Sequence, residues 1–201
     1  MYKTPEEFYF RLHLVRPRFQ NNVEEVLLYL ATEVSKLETQ PLPSFNEKLF
    51  NAIRLFGGNA TKTKKTIDNW RTEIPSLFGF VEEDRINRTG KAGEIAIKLA
   101  EEQDLVEFFK HFLFYFQYPG GHIKSHKLKA AIDNGVKFKP AQYFLKVLEA
   151  GEKKTGKRFG FNKAEATHLI YHDLRAIRDS CPPAEIVGRM DDVFRFAGGV
   201  I

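Results

Sequence analysis

The sequence contains very few cysteine, tryptophan and methionine residues, and it lacks long hydrophobic runs. One Cys, one Trp and two Met occur in 201 residues. The single cysteine, Cys181, excludes an intramolecular disulfide and a cysteine-rich zinc site. The longest apolar runs, such as residues 112–116, are far shorter than the roughly 18–20 residues of a membrane span. The first residues also lack the apolar segment of a signal peptide. We therefore expect a cytoplasmic protein with no membrane partner.

Charge of one sign is in small excess. The 31 basic and 26 acidic residues give a formal net charge of +5, and 43% of the residues are hydrophobic. This apolar fraction excludes a disordered chain. The charge permits a nucleic-acid partner but does not require one, so the placement of the basic residues matters more than their number.

Apolar residues spaced three and four apart predict two helices near the N-terminus. The first covers residues 22–38. Ser44 followed by Glu47 is typical of a capping box and predicts the start of the second helix there. Gly57 and Gly58 are predicted to end it.

A polar and basic segment follows. A third helix is predicted to begin near Thr61 or Thr63 and to end at Glu73, because Pro75 lies just beyond. One narrow apolar stripe is predicted to face the core: Ile67, Trp70 and Ile74.

Strands and a strongly aromatic helix are predicted next. Residues 77–81 and 85–90 suit two short strands around an acidic turn at 82–84. Helices are predicted over residues 93–101 and 104–117. The second is apolar nearly all round, so we expect it at the centre of the core.

Tyr118-Pro119-Gly120-Gly121 is the strongest break in the chain, and a domain boundary is predicted there. Beyond it, helices are predicted over residues 140–150, over 163–178 with Asn162 as N-cap, and from Pro183 onward. Residues 153–158 are predicted to form a basic loop. The predicted domains are an arm (1–20), a first subdomain (21–120) and a second subdomain (121–201).

The order of elements over residues 45–90 is helix, glycine turn, basic helix and two strands, which suits a winged helix. In such a module the basic helix enters the major groove of DNA. Lys62, Lys65 and Asn69 would face outward, with Thr66 and Glu73 near the edge. An ordinary solvated amphipathic helix explains the same pattern, so the residues alone leave both interpretations open.

Longer motifs add a family resemblance. Residues 63–74 (TKKTIDNWRTEI) with Leu77-Phe78-Gly79, residues 107–110 (EFFK) and residues 116–120 (FQYPG) resemble the DNA-recognition domains of type IIS restriction endonucleases of the BpuJI family. The resemblance spans nearly the whole chain and is weaker after residue 121.

This resemblance implies a sequence-specific double-stranded DNA recognition domain. The implied fold is mainly α with short β-hairpins, in two winged-helix-like subdomains plus an N-terminal arm. The resemblance also implies a separate C-terminal nuclease domain of the PD-(D/E)xK class, which would use Mg²⁺. This domain would cut outside a short asymmetric recognition site, and the parent protein could dimerise through it. The apolar residues 197–201 also lead us to expect a longer parent protein.

The resemblance and the side-chain chemistry together give candidate DNA-contacting residues. Arginine suits guanine in the arm, asparagine suits adenine, and lysine and threonine suit phosphates. An arm arginine could instead pin the two subdomains together, Asn69 could bond its own backbone, and Trp70 is predicted to be a core residue. The candidates are Arg16, Arg18, Gln20, Lys62, Thr63, Lys64, Lys65, Thr66, Asn69 and Arg71.

No catalytic or metal site is predicted in this chain. Glu152-Lys153-Lys154 with upstream Asp133 has the letters of a nuclease motif, but Glu152 does not follow an apolar strand. His122/His126 and His168/His172 have i, i+4 spacing without the intervening glutamate of a zinc protease. Two alternatives stay open: a free-standing winged-helix transcription regulator, and a small enzyme that uses a histidine pair and a metal.

Overall fold

The computed structural model describes residues 4–12, 23–120, 123, 125–178 and 181–192. These residues form two compact units. The wing unit comprises the described residues between 23 and 112. The C-terminal unit comprises residues 4–12 together with the described residues from 113 onward.

The wing unit contains helices and one small sheet. The sheet is antiparallel with strand order β1–β3–β2, and its hairpin aligns Val81 with Ala92 and Asp84 with Thr89. The apolar faces of the helices pack over the sheet in one core. Its elements are α1 (Val23–Ser35), β1 (Gln40–Pro41), α2 (Leu42–Leu55), α3 (Lys64–Phe78), β2 (Val81–Asp84), β3 (Thr89–Ala92), α4 (Glu94–Glu102) and the first part of α5 (Leu105–Tyr115).

Two helix ends differ from the sequence predictions. Helix α2 begins at Leu42 rather than at Ser44, with Pro43 in its first turn, where proline's missing N–H is harmless. The predicted capping box is therefore wrong. Helix α3 continues through Pro75 to Phe78, and Gly79 then ends it with a φ of 70°. Phe78 is buried against the Phe108 and Phe112 rings, so the packing of the last turn outweighs the hydrogen bond that proline removes.

A hairpin was predicted in this part of the chain, but both of its strands and the turn between them were placed about four residues too early. The acidic residues 82–84 lie in β2, and the turn is formed by residues 85–88. The Asp84 carboxylate accepts hydrogen bonds from the backbone N–H groups of Ile86 and Asn87, both at 2.9 Å. An aspartate that bonds the backbone two and three residues ahead initiates a turn, which explains the later position.

The aromatic helix is α5, and the prediction that it lies at the centre of the core is wrong for most of its length. Only Phe108 is fully buried, while Phe109 and Phe112 pack partly against the core. Leu113, Phe114 and Tyr115 are each at least half exposed. A helix that is apolar all round can still bury only the face for which the fold provides neighbours.

The C-terminal unit is helical. It contains a short 3₁₀ turn near the N-terminus, a helix α6 that was not predicted, and a long helix α7 that includes Lys153 and Lys154, so the predicted loop at 153–158 is wrong in its first half. Its helices are α6 (Ser125–Asp133), α7 (Pro140–Thr155), α8 (Lys163–Glu165), α9 (Leu174–Ile177) and α10 (Pro183–Met190).

The predicted helix over residues 163–178 is interrupted. Asn162 and Glu165 form the expected capping box at its start. The helix then widens into a π-helix over Ala166–Tyr171 and breaks at Asp173, whose backbone is extended. Asp173 forms an isolated antiparallel bridge with Tyr9, so the break makes room for the N-terminal segment.

Strand pairing among the described residues of the C-terminal unit is limited to this bridge and a second one between Tyr118 and Phe138. Among the described residues, a β-hairpin that can serve as a wing is therefore present only in the wing unit. The predicted division at residue 120 into two winged-helix-like subdomains stays a prediction.

Candidate nucleic-acid interface

The connection between α2 and α3 is fixed by a buried polar side chain. Asn59 is 2% exposed, and its side-chain amide donates to the Ile53 carbonyl at 2.9 Å near the end of α2. The Asn59 carbonyl accepts from the Lys62 N–H, also at 2.9 Å. A satisfied buried amide rigidifies its surroundings. The turn therefore holds Lys62 at a defined place before α3.

The N-terminus of α3 carries a concentration of positive charge. Thr63 is the N-cap, and its hydroxyl accepts from the Thr66 N–H at 3.4 Å. Lys62, Lys64 and Lys65 are exposed and form no ion pair with any described residue. The first turn has no acidic residue. Cations at a helix N-terminus oppose the helix dipole, so this arrangement does not stabilise the helix itself.

The inner face of α3 matches the prediction. Ile67, Trp70 and Ile74 are at most 7% exposed. The Trp70 ring packs against Phe56, with 6.0 Å between ring centroids. The predicted core role of Trp70 is confirmed, and the stripe fixes which side of the helix faces outward.

The remaining candidates on α3 are less exposed than the lysines. Thr66, Asn69 and Arg71 are half-buried. The Thr66 hydroxyl lies 3.1 Å from that of Thr63, and Arg71 lies 4.0 Å from the Asp68 carboxylate. Arg71 is thus partly neutralised, while the three lysines are not.

A cleft of about 620 Å³ lies between α2 and α3 and brings several candidates together. Lys62, Lys64 and Arg71 line it, and so does Arg54 from the last turn of α2, which was not predicted. Arg54 is exposed and forms no ion pair with a described residue. A sequence signal could have identified Arg54: it follows Asn46 and Phe50 at a spacing of four residues, which places all three on one face of α2.

The predicted arm residues Arg16, Arg18 and Gln20 lie outside the described residues. The segment just before them is well anchored in the C-terminal unit. Leu12 is buried, and the Phe10 N–H donates to the His172 carbonyl at 3.1 Å. The Arg175 guanidinium lies over the Phe8 ring, 4.1 Å from its centroid.

Other candidate chemistry belongs to the C-terminal unit. Glu152 lies on helix α7, whereas the nuclease motif requires a strand. The His168 and His172 rings are edge to face at 6.1 Å between centroids. His122 lies outside the described residues. Among the described residues, no three His, Cys, Asp or Glu side chains are grouped to hold a metal ion.

The remaining features are structural. Cys181 is buried, and burial raises the pKa of its thiol to about 11, so it is not a nucleophile near neutral pH. None of the described helices has the length and apolar character of a membrane span.

The fold and this face define a class of protein. The order α1, β1, α2, α3, β2 and β3, with the sheet order above, is that of a winged helix. The unpaired lysines lie at the start of α3, which is the second helix of its helix-turn-helix. The family model "Restriction endonuclease BpuJI - N terminal" matches residues 2–193, so the chain belongs to this family and the resemblance predicted from the sequence is confirmed.

A solved structure agrees with this assignment. It contains the BpuJ1 endonuclease binding domain in complex with pyrene- and phenanthrene-modified DNA. The match has a TM-score of 0.80 and 25% sequence identity, covering 96% of this chain and 71% of that chain. A comparison with curated proteins gave no match.

Proposed function

We infer that this chain is the DNA-recognition domain of a restriction endonuclease and that it binds double-stranded DNA through helix α3. The observation that carries the inference is the exposed, unpaired group Lys62, Lys64 and Lys65 at the N-terminus of α3. Because this group opposes the helix dipole, it weakens the helix unless an anion binds there. DNA phosphates provide that anion.

Phosphate and base contacts divide along the helix. The lysines, with Thr63 and Thr66, neutralise and position phosphates at the first turn. Asn69 lies about one and a half turns further on, where α3 would face base edges in the major groove, and its amide suits adenine. Arg71 is expected to bind a phosphate less strongly than the lysines do, because the Asp68 carboxylate partly neutralises its charge.

Base reading by the arm belongs to the same proposal. Arg16, Arg18 and Gln20 lie four, six and eight residues after Leu12 in the sequence, and arginine is the commonest bidentate partner of guanine. Anchoring of Leu12 gives such an arm a fixed starting point, which lowers the entropy lost when the arm binds DNA.

The family membership supports further proposals about the parent protein. We propose that it reads a short asymmetric site and cleaves outside it with a separate C-terminal, Mg²⁺-dependent nuclease domain, through which it can dimerise. A cytoplasmic location agrees with the lone, buried Cys181.

The test begins with selection of binding sequences from a random DNA pool. The affinity for the selected duplex and for a random duplex is then measured over a range of salt concentrations. Lys64→Ala is expected to weaken both by similar factors, whereas Arg16→Ala and Asn69→Ala weaken the selected duplex more. Lys98→Ala, on the exposed face of α4, is the matched control. Failure to select any sequence, or equal losses on both duplexes for every variant, contradicts sequence-specific recognition.

A further inference from the structure

The cleft between α2 and α3 is larger than a phosphate group requires. Its volume is about 620 Å³, and small-molecule sites typically measure roughly 300–1,000 Å³. Side chains from both helices line it, and they include cations, an aromatic ring and an amide. A single backbone phosphate of a duplex would leave most of this space empty.

The positive charge of the cleft is concentrated beside the turn that connects the two helices. Arg54 lies in the last turn of α2, whereas Lys62 and Lys64 lie at the start of α3, so the turn brings all three to one end of the cleft. Four basic and two acidic side chains line the cleft, an excess of two positive charges. A phosphate monoester carries about 1.5–2 negative charges near neutral pH, which matches this excess. The charged lining residues are Arg54, Lys62, Lys64 and Arg71 against Glu47 and Asp68.

Apolar surface lies next to this cationic end. Phe50 precedes Arg54 by four residues on α2, and Ile67 follows Lys64 by three residues on α3; both line the cleft. Phe50 is half-buried and has no ring contact with another described aromatic side chain, while Ile67 is only 1% exposed. A nucleic-acid base stacks on an aromatic ring of this kind.

Polar groups follow one helical turn beyond the ring. Asn46 precedes Phe50 by four residues and lines the cleft together with Glu47. Asn46 is half-buried, and neither its amide nor the Glu47 carboxylate bonds to another described residue. The amide therefore keeps a donor and an acceptor for a ligand. Asparagine pairs well with adenine, and a carboxylate accepts from the amino group of cytosine, whereas thymine has no amino group.

We propose that the cleft binds one unstacked nucleotide, with its phosphate at Arg54, Lys62 and Lys64, its base on Phe50 and the edge of the base toward Asn46. The proposal rests on the proposed function, because the cleft adjoins the helix that binds the duplex, and it gives this face a second kind of ligand. Two sources supply the same chemistry. One is a free nucleoside monophosphate, and the other is an unpaired nucleotide of a DNA strand.

Contact with a duplex phosphate alone explains fewer of these observations. It would use the cations but not Phe50 or Asn46, because the bases of a duplex cover one another's faces. An unpaired base exposes both its face and its Watson–Crick edge. Asn46, Phe50 and Arg54 follow one another at intervals of four residues, which spans about 12 Å along α2 and is comparable with the length of one nucleotide.

The first experiment tests the free nucleotide. The protein is titrated by calorimetry with dAMP and, in parallel, with inorganic phosphate, deoxyadenosine and dTMP. We expect dAMP to bind at least tenfold more tightly than phosphate or deoxyadenosine, because only dAMP contacts both ends of the cleft, and more tightly than dTMP. Phe50→Leu and Arg54→Ala should each weaken dAMP binding about tenfold. Lys48→Ala removes an exposed cation of α2 outside the cleft and is the matched control.

The second experiment tests the unpaired nucleotide. The selected duplex is prepared with one unpaired 2-aminopurine, either as a bulge or as an overhang. The fluorescence of this adenine analogue falls when it stacks, so the unaltered protein should quench it and Phe50→Leu should quench it less. Quenching without dAMP binding identifies DNA as the source of the nucleotide, and dAMP binding without quenching identifies the free nucleotide.

The outcomes separate this proposal from the proposed function. Thermal unfolding shows whether Phe50→Leu is folded, and Arg54→Ala, at an exposed site, keeps the test valid if it is not. Equal affinities for phosphate and dAMP that Phe50→Leu leaves unchanged would overturn the proposal. A protein that binds the selected duplex but neither binds dAMP nor quenches 2-aminopurine would also overturn it, and the proposed function would stand. Failure to bind any duplex contradicts the proposed function instead, and the dAMP titration then still decides whether the cleft holds a nucleotide.

Discussion

The Thr4 hydroxyl donates a 2.6 Å hydrogen bond to the backbone carbonyl of His168, which joins residues 164 positions apart in the sequence. Thr4 is 6% exposed, so this bond is shielded from water. It fastens the N-terminal segment to the π-helix of the C-terminal unit, in the region where the predicted continuous helix is interrupted. The segment that leads into the proposed DNA-reading arm is thus part of a core.

The first prediction concerns this anchor. Leu12→Ala removes a side chain that is 3% exposed in the C-terminal core, and it should lower the free energy of unfolding by about 2–4 kcal/mol. Thr4→Val, which keeps the shape but loses the donor, should cost about 1 kcal/mol. Urea denaturation measures both. Leu55→Ala, at a site 77% exposed, serves as control. A Leu12→Ala protein as stable as this control would show that residues 4–12 are not part of the core.

The second prediction concerns Arg54, which lines the cleft between α2 and α3. If the cleft lies along a DNA phosphate, Arg54→Ala should weaken selected and random duplexes alike. It should also lower the slope of log affinity against log salt concentration by about 1. Fluorescence anisotropy at several salt concentrations measures the slope. An unchanged slope in Arg54→Ala, equal to that of Lys98→Ala, would place Arg54 outside the interface.

Sequence patterns predicted the start and the buried face of α3 well, because those signals are local. A threonine N-cap and an apolar stripe at helical spacing determine where the helix begins and which side is buried. Arg54 was missed because its relation to Lys62 and Lys64 exists only after α2 and α3 pack together. The exposure of Ile86 could not be predicted for the same reason, because it depends on where the turn between β2 and β3 lies.

The two main errors also have physical causes. The aromatic composition of α5 indicates burial, but Phe114 and Tyr115 are 58% and 61% exposed, because a helix buries only the face that has neighbours. The break at Asp173 could not be predicted, because the apolar residues around it have the spacing of a continuous helix. Its cause is the N-terminal segment, more than 160 residues away in the sequence.

The third prediction compares two glycines within helices. A Cβ atom on Gly151 in α7 would overlap the buried Phe159 ring, whereas a Cβ on Gly188 in α10 would meet no atom within 4 Å. Gly151→Ala should therefore destabilise the protein by about 1–3 kcal/mol. Gly188→Ala should stabilise it by about 0.5–1 kcal/mol, since alanine favours helix. Thermal unfolding measures both. Shifts of the same sign would contradict the close packing at Gly151.

The fourth prediction concerns Asp173, which is fully buried. Its carboxylate accepts two hydrogen bonds from the Arg175 guanidinium, at 2.9 and 2.6 Å, and one from Arg189 at 3.3 Å. Asp173→Asn keeps the shape but removes the carboxylate that pairs with the Arg175 guanidinium, while Arg189 keeps its ion pair with Glu185. The free energy of unfolding should fall by about 3 kcal/mol. Glu149→Gln, which removes an exposed partner of Lys153, is the control and should leave the unfolding curve unchanged.

The last prediction concerns the pH dependence of stability. Burial, followed by the neighbouring charges of His168 and Arg11, lowers the pKa of His172 below its usual 6.5. The folded state therefore binds a proton at His172 less readily than the unfolded state. Its contribution to stability is complete above about pH 6.5 and is lost as the pH falls through the lowered pKa of the folded state.

This dependence can be isolated by difference. Urea denaturation of the unaltered protein and of His172→Gln is measured between about pH 7.5 and about pH 5. The free energy of unfolding should fall more steeply with acidification in the unaltered protein, because only that protein must exclude a proton from this site. His168→Gln should reduce the steepness in part, since it removes one neighbouring charge and keeps the burial. Parallel curves for all three proteins would show that His172 does not link folding to pH.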